Sequence, residues 1–238
     1  PFPALMRQAG YFTTNRHKTD YQFETPQGVW DRQGEDHRDW EDRPDPQQPF
    51  FSVINYFLTH ESRNRGEYNR ELFDAAKLEL PPYYPDTPEV REIYASYYQN
   101  MHGADQWVAQ QLARLREDGL QEDTIVVFWS DHGVGFPRAK RWIYDAGLHI
   151  PMIVHVPEKW REKIQLASEE GANPELVSFI DFAPTMLSLA GAERPDYLQG
   201  RVFMGPDSEP APEYLFGHRD RMDETLDIIR TLTGQRYK

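Results

Sequence analysis

Ser130-Asp131-His132-Gly133 follows directly on Ile125-Val126-Val127-Phe128-Trp129, an unbroken apolar run rich in strand-forming residues. A run of that kind predicts a strand buried on both faces, and in open α/β sheets ligands collect beyond the C-terminal ends of such strands. A carboxylate and an imidazole there are donors suited to a divalent cation, which makes Asp131 and His132 candidate metal ligands. The plainer alternative is that Asp131 caps the following turn and His132 is a solvated loop residue. Arg138, Lys140 and Arg141 come within ten residues of Asp131. They put local positive charge beside the proposed metal and offer contacts to an anionic substrate.

Two further polar clusters stand where an apolar run stops. Lys18 and Asp20 lie in the loop Asn15–Tyr21, after the short run Tyr11–Thr14; either this is a solvated turn, or Lys18 binds an anionic oxygen. His60, Glu61 and Arg63 follow the stretch from Pro49 to Leu58, which reads as a second buried strand. His60 is a candidate acid, base or oxyanion partner, and Arg63 a candidate anion contact. The repeated placement suggests one shared crevice.

The elements that would position these residues can be read from local signals. Pro3 to Gly10 has the spacing of a helix end closed by glycine, followed by a strand, which is the second half of a βαβ unit. Gln27 to Gln48 has no periodicity and reads as a long surface loop, with Trp30 available for packing or for sugar stacking. Thr87-Pro88 is a helix start, and apolar residues at spacings of three and four carry that helix to Asp118, with Gly119 as its stop. His102 and Asp105 on it read as helix-packing or polar-face residues. Helix, short link and buried strand repeated in this way predict an α/β fold, a mostly parallel central sheet flanked by helices and incomplete at both ends. Met152–Val156 is a further strand, and an apolar helix within Leu176–Gly191 begins near Asp181, which reads as its N-terminal cap.

Composition narrows the function classes. The 238 residues include 39 acidic and 26 basic side chains, a formal charge of −13, which argues against a general nucleic-acid or anionic-membrane binder. There is no cysteine, so disulfides and thiolate metal sites are excluded. No apolar run approaches the roughly 18–20 residues that span a bilayer. The sequence opens Pro-Phe-Pro-Ala-Leu and closes Gln-Arg-Tyr-Lys, and both ends read as cuts through a larger protein.

Taken together, AGYFTTNRHKTDY (Ala9–Tyr21), PFFSVINYFLTHESR (Pro49–Arg63), IVVFWSDHGVGFPRAKRWIYDAGLHIPMIV (Ile125–Val154), VSFIDFAPTMLSLAG (Val177–Gly191) and YLFGHRDRMDE (Tyr214–Glu224) resemble the sulfatase family of the alkaline-phosphatase-like superfamily. The flavour is similar to bacterial heparan N-sulfatase-like sulfatases, which implies a glycosaminoglycan or other sulfated glycan, or a small sulfated molecule, as substrate. Residues 1–204 would then be part of the catalytic domain and 205–238 the start of a C-terminal subdomain. The resemblance implies Lys18, His60 and Lys140 as catalytic residues, Asp20, Arg63 and Arg141 as substrate contacts, and Asp131 and His132 as ligands of a divalent metal, usually calcium. His132 stands where the family commonly has Asn, and Asp20 where it often has His.

Family sulfatases use a formylglycine made within a Cys/Ser-x-Pro-x-Arg motif, and no residue of this chain begins that pattern. The nucleophile is therefore expected upstream of Pro1, and these residues alone are expected to be inactive. A periplasmic or secreted location follows from the resemblance. Two alternatives stay open: a metal-dependent phosphodiesterase or phosphonate hydrolase of the same superfamily, and a glycan-binding remnant without chemistry.

Overall fold

A computed structural model describes residues 1–164, 171–222 and 224–238. Asp223, within the last motif, lies outside the described residues. The chain divides into two compact units. The first comprises residues 1–55, 160–217 and 231–238, the second residues 56–159 and 218–230.

In the first unit, α1 (Phe2–Gln8) leads through Gly10, at φ 94°, into β1 (Phe12–Arg16). Glycine is needed at Gly10 because that left-handed turn carries a steric penalty for other residues. β1 is the centre of a three-stranded parallel sheet in the order β2-β1-β3, with β2 at Arg32–Gly34 and β3 at Phe50–Ile54. Phe12 pairs with Phe50 and Thr14 with Arg32. Thr13 and Thr14 are fully buried yet polar, so each requires a partner. The backbone N–H of Thr13 donates to Asp31 Oδ2 at 2.8 Å, and Thr14 Oγ1 donates to Ser52 Oγ at 2.9 Å. α5 (Phe182–Leu189) packs on α1. Asp181 closes a capping box with Ser178 and also accepts from the Arg201 N–H at 2.9 Å.

The stretch Gln27–Gln48 is not the featureless loop its composition predicts. It supplies β2 and a buried cluster in which Arg16 pairs with Asp39 at 3.1 Å and His37 accepts from the Asp39 N–H at 3.1 Å. Asp39 sits at φ 58° with its side chain wholly buried. Trp40 is buried against Phe50, and Trp30 stacks on Phe51 while donating to the Tyr21 hydroxyl at 2.9 Å. Packing is therefore the role of Trp30. The second predicted strand is also shorter than its apolar run, because Asn55 Nδ2 turns back to the Arg16 carbonyl at 2.9 Å and ends the pairing at Ile54.

The second unit is built on α2 (Pro88–Glu117). Thr87 Oγ1 accepts from the Val90 N–H at 3.4 Å, the N-terminal cap expected from the sequence. Tyr84, Tyr94, Tyr97 and Phe136 form one aromatic cluster against it, with Tyr94 and Phe136 stacked at 4.6 Å. β4 (Val126–Trp129) pairs with β5 (Met152–His155) antiparallel, Val126 opposite His155 and Trp129 opposite Met152. The mixed α/β class holds, but this pair corrects the expectation of parallel neighbours. With one partner strand among the described residues, β4 is also half-buried rather than covered on both faces. β6 (Leu215–Met222) and β7 (Thr225–Thr233) pair with each other. No helix among the described residues is long and apolar enough to cross a membrane.

Candidate active site

Beyond β3 the chain makes a single 3₁₀ turn, Glu61–Arg63, capped by His60. His60 Nδ1 accepts the Ser62 backbone N–H at 3.3 Å and lies 2.9 Å from Ser62 Oγ. A backbone N–H can only donate, so Nδ1 carries the lone pair and Nε2 the proton. That Nε2 faces Lys140, whose Nζ is 3.5 Å away. Two proton-bearing nitrogens thus point into the same space, an arrangement completed by an acceptor common to both.

Lys140 and Arg141 also share a counter-ion that sequence reasoning did not single out. Glu61 Oε1 lies 3.2 Å from Lys140 Nζ and 2.9 Å from Arg141 Nη2. Burial pushes the Glu61 carboxyl up, but the Lys140 ammonium and Arg141 guanidinium outweigh it and hold the group below the usual carboxylate range. Arg63 lies on the same turn with its side chain exposed. Its carbonyl accepts from Asn100 Nδ2 at 3.0 Å, which ties the turn to α2.

Close packing fixes the cationic loop. At Gly135 a Cβ would lie 2.8 Å from Glu61 Cα and closer still to its Cβ, so glycine is needed for the loop to approach the His60 turn. At Gly147 in α3 (Asp145–Leu148) a Cβ would collide with the carbonyl oxygens of Ala139 and Trp142. Arg138 and Arg141 both adopt φ 69°, a conformation that costs an L-residue on the order of 1 kcal/mol. Arg219 of β6 holds Arg141 there: its Nη1 donates to the Arg141 carbonyl at 2.9 Å, its guanidinium lies 4.0 Å over the Trp142 ring, and it pairs with Asp227. Arg219 is buried, and no local periodicity marks it. Its one trace in the sequence is the Gly-His-Arg-Asp-Arg run.

At the end of β4, Ser130 Oγ donates to the His132 carbonyl at 2.5 Å, and His132 Nδ1 lies 2.7 Å from the Gly133 carbonyl. A carbonyl can only accept, so Nδ1 carries the proton and Nε2 the lone pair. Nε2 stands 3.5 Å from Asp131 Oδ1. Two electron-pair donors facing each other at this distance, with the imidazole oriented by a carbonyl behind it, suit a shared cation. They supply two donors where calcium takes about six to eight oxygens, and the described residues hold no group of three or more His, Asp or Glu able to bind a metal. The pair fits as part of a cation site.

Lys18 and Asp20 belong to the first unit, whereas the other candidates belong to the second. Their loop is fixed from within: Asn15 Nδ2 donates to the Lys18 carbonyl at 2.7 Å and to the Tyr21 hydroxyl at 3.0 Å. Lys18 is half-buried and Asp20 exposed.

Comparison with known proteins identifies the family. The sulfatase family model matches residues 38–192. An ulvan-active sulfatase from Formosa agariphila is 36% identical over 98% of this chain and 44% of its own length. Human N-sulphoglucosamine sulphohydrolase is 28% identical over 72% of this chain and 35% of its own. The chain thus spans less than half the length of these curated relatives. A phosphonate monoester hydrolase from Silicibacter pomeroyi superposes with a TM-score of 0.66 over 92% of this chain and 64% of that one, at 18% identity, and so shares the alkaline-phosphatase-like fold alone. Because the family match runs through most of the chain and takes in both the His60 turn and the cationic loop, this chain belongs to the sulfatase family.

Proposed function

We propose that the protein carrying this chain hydrolyses sulfuric esters, or sulfamates, of a sulfated glycan, and that this chain contributes the anion-holding and proton-handling side of the pocket. The observation that carries the reading is the convergence of the protonated His60 Nε2 and the Lys140 ammonium on one small space, 3.5 Å apart. A sulfuryl oxygen accepts from both. In the transition state of sulfuryl transfer, negative charge grows on such oxygens, and preorganised donors are worth more there than in water. Lys140 holds a non-bridging oxygen, while His60 places its Nε2 proton at the leaving-group oxygen. Glu61 aims Lys140, and Arg141 completes the local balance in a chain of charge −13.

Asp131 and His132 would hold part of a divalent cation, for which calcium is the proposal. Such a cation supplies Lewis-acid stabilisation of developing charge. Lys18 is proposed to hold a further sulfuryl oxygen, with Asp20, Arg63 and Arg141 as substrate contacts. The nucleophile is proposed to be a formylglycine contributed from outside these residues. The glycan as substrate class rests on the ulvan-active relative.

The test is turnover of 4-nitrophenyl sulfate by the protein carrying this chain. Lys140→Ala is expected to lower kcat by about 10²–10³, and His60→Ala by about 10²–10⁴. Lys18→Ala is expected to fall with them. Sulfate release at the wild-type rate from Lys140→Ala or His60→Ala would refute the anion pocket.

A further inference from the structure

Of the three cations in the loop, Lys140 and Arg141 share Glu61, whereas Arg138 pairs with no carboxylate among the described residues. Arg138 is held instead by aromatic rings. Its guanidinium carbon lies 4.4 Å over Tyr144 and 5.2 Å over Tyr83. Tyr144 stacks on Trp142 at 5.7 Å, and Trp142 carries the Arg219 guanidinium at 4.0 Å. The result is a continuous stack, Arg219, Trp142, Tyr144, Arg138 and Tyr83 in that order, with unlike ends. The buried end, Arg219, is paired with Asp227 and donates to the Arg141 carbonyl. The outer end, Arg138 with Tyr83 and Tyr144 (46% and 43% exposed), faces solvent.

Stacking of this kind fixes the plane of a guanidinium while leaving its edge N–H donors outward, the geometry that binds a carboxylate or sulfate through two bonds. The loop backbone is held to match. Phe136 is locked in the aromatic cluster on α2, and the Tyr84 hydroxyl donates to the Pro137 carbonyl at 2.5 Å. Arg138 itself is kept at φ 69°, a cost that simple packing of a surface side chain does not require.

We infer that Arg138, seated between Tyr83 and Tyr144, is a second anion subsite that takes a further acidic substituent of the substrate, next along from the sulfate at Lys140. The inference rests on the sulfatase reading and deepens it: the substrate is a glycan carrying at least two negative groups. A uronate carboxylate and a second sulfate ester share this chemistry, and the two are separated by experiment.

The probes are 4-nitrophenyl sulfate, a sulfated uronate oligosaccharide and the same oligosaccharide with its carboxylates reduced. Arg138→Ala is expected to lower the preference for the intact oligosaccharide over 4-nitrophenyl sulfate, as a ratio of kcat/KM, by about tenfold to a hundredfold, with KM carrying the change. Arg138→Lys, which keeps charge but loses the planar fork, recovers a minor part. If the carboxylate is the ligand, the reduced oligosaccharide loses the sensitivity to Arg138→Ala; if a sulfate is, the sensitivity stays. An unchanged preference overturns the subsite. Calorimetric affinity for the intact oligosaccharide reads Arg138 independently of turnover. Weaker binding by Arg138→Ala, with no ester hydrolysis by the wild type, keeps the subsite and sinks the sulfatase reading, and equal binding sinks the subsite.

Discussion

Replacing Arg219 by Met tests whether the cationic loop is held from beneath. Met keeps much of the buried volume but removes three interactions. The bond to the Arg141 carbonyl is one made by a charged donor, worth about 1.5–3 kcal/mol. The stack on Trp142 adds about 0.5–2 kcal/mol. The pair with Asp227, whose side chain is 37% exposed, is screened and adds about 1 kcal/mol at most. The loss should be about 3 kcal/mol, which for a chain of this size lowers the melting temperature by roughly 6–12 °C. Arg219→Lys should recover less than half, since an ammonium neither stacks as well nor forks. The second readout is local. Arg138, Lys140 and Arg141 are trypsin sites, and release of the Arg141 carbonyl should expose them, so limited digestion should cut Arg219→Met first between residues 138 and 142. A melting temperature within about 2 °C of wild type, or a normal digestion pattern in a destabilised variant, would show that Arg219 serves only its own hairpin.

Gly135→Ala should cost about 1–3 kcal/mol, because the new methyl group meets the Glu61 backbone 2.8 Å away; a melt at the wild-type temperature refutes the contact. The Glu61 carboxyl is depressed from its ordinary value of 4.5, so the stability it contributes is complete above that pH and lost as pH falls through the lower folded value. Denaturant melts of wild type and Glu61→Gln should therefore differ at pH 6 and converge on acidification below pH 4, and a pH-independent gap would contradict the pairing. Asp181→Ala leaves the Ser178 and Arg201 N–H groups without their acceptor and should cost about 2–4 kcal/mol by the same measurement. Calcium added to the protein carrying this chain should raise its melting temperature, and Asp131→Ala should abolish most of that rise; an equal rise in both would remove Asp131 from the cation site.

What the sequence disclosed was local. Thr87-Pro88 names a helix start because the capping hydroxyl and the proline act within one turn, and α2 begins there. Asp181 was legible as a residue of the helix start, but its side chain bonds back to Ser178 as the third residue of a capping box and makes no cap bond to α5, and its second acceptor bond, to Arg201, joins residues far apart in sequence. Strand direction was not legible, since the apolar runs of β4 and β5 carry no mark of polarity relative to each other. The segment Gln27–Gln48 hid a buried ion pair because Arg16, His37 and Asp39 are polar residues whose burial depends on distant partners. At the site, His60 and Lys140 were legible by type and position, but Glu61 and Arg219 were not. Their importance lies in a neighbour some 80 residues away that no spacing rule reports.

The antiparallel pairing of β4 with β5 has an evolutionary corollary. Trp129 lies opposite Met152, and the Ser130 N–H meets the Pro151 carbonyl at 3.3 Å, so everything from Asp131 to Ile150 leaves and re-enters the scaffold through one doorway. Such a segment behaves as a cassette. Its solvent-facing side chains, Arg138 and Tyr144 among them, can be exchanged while both doorposts and the close approaches at Gly135 and Gly147 stay put.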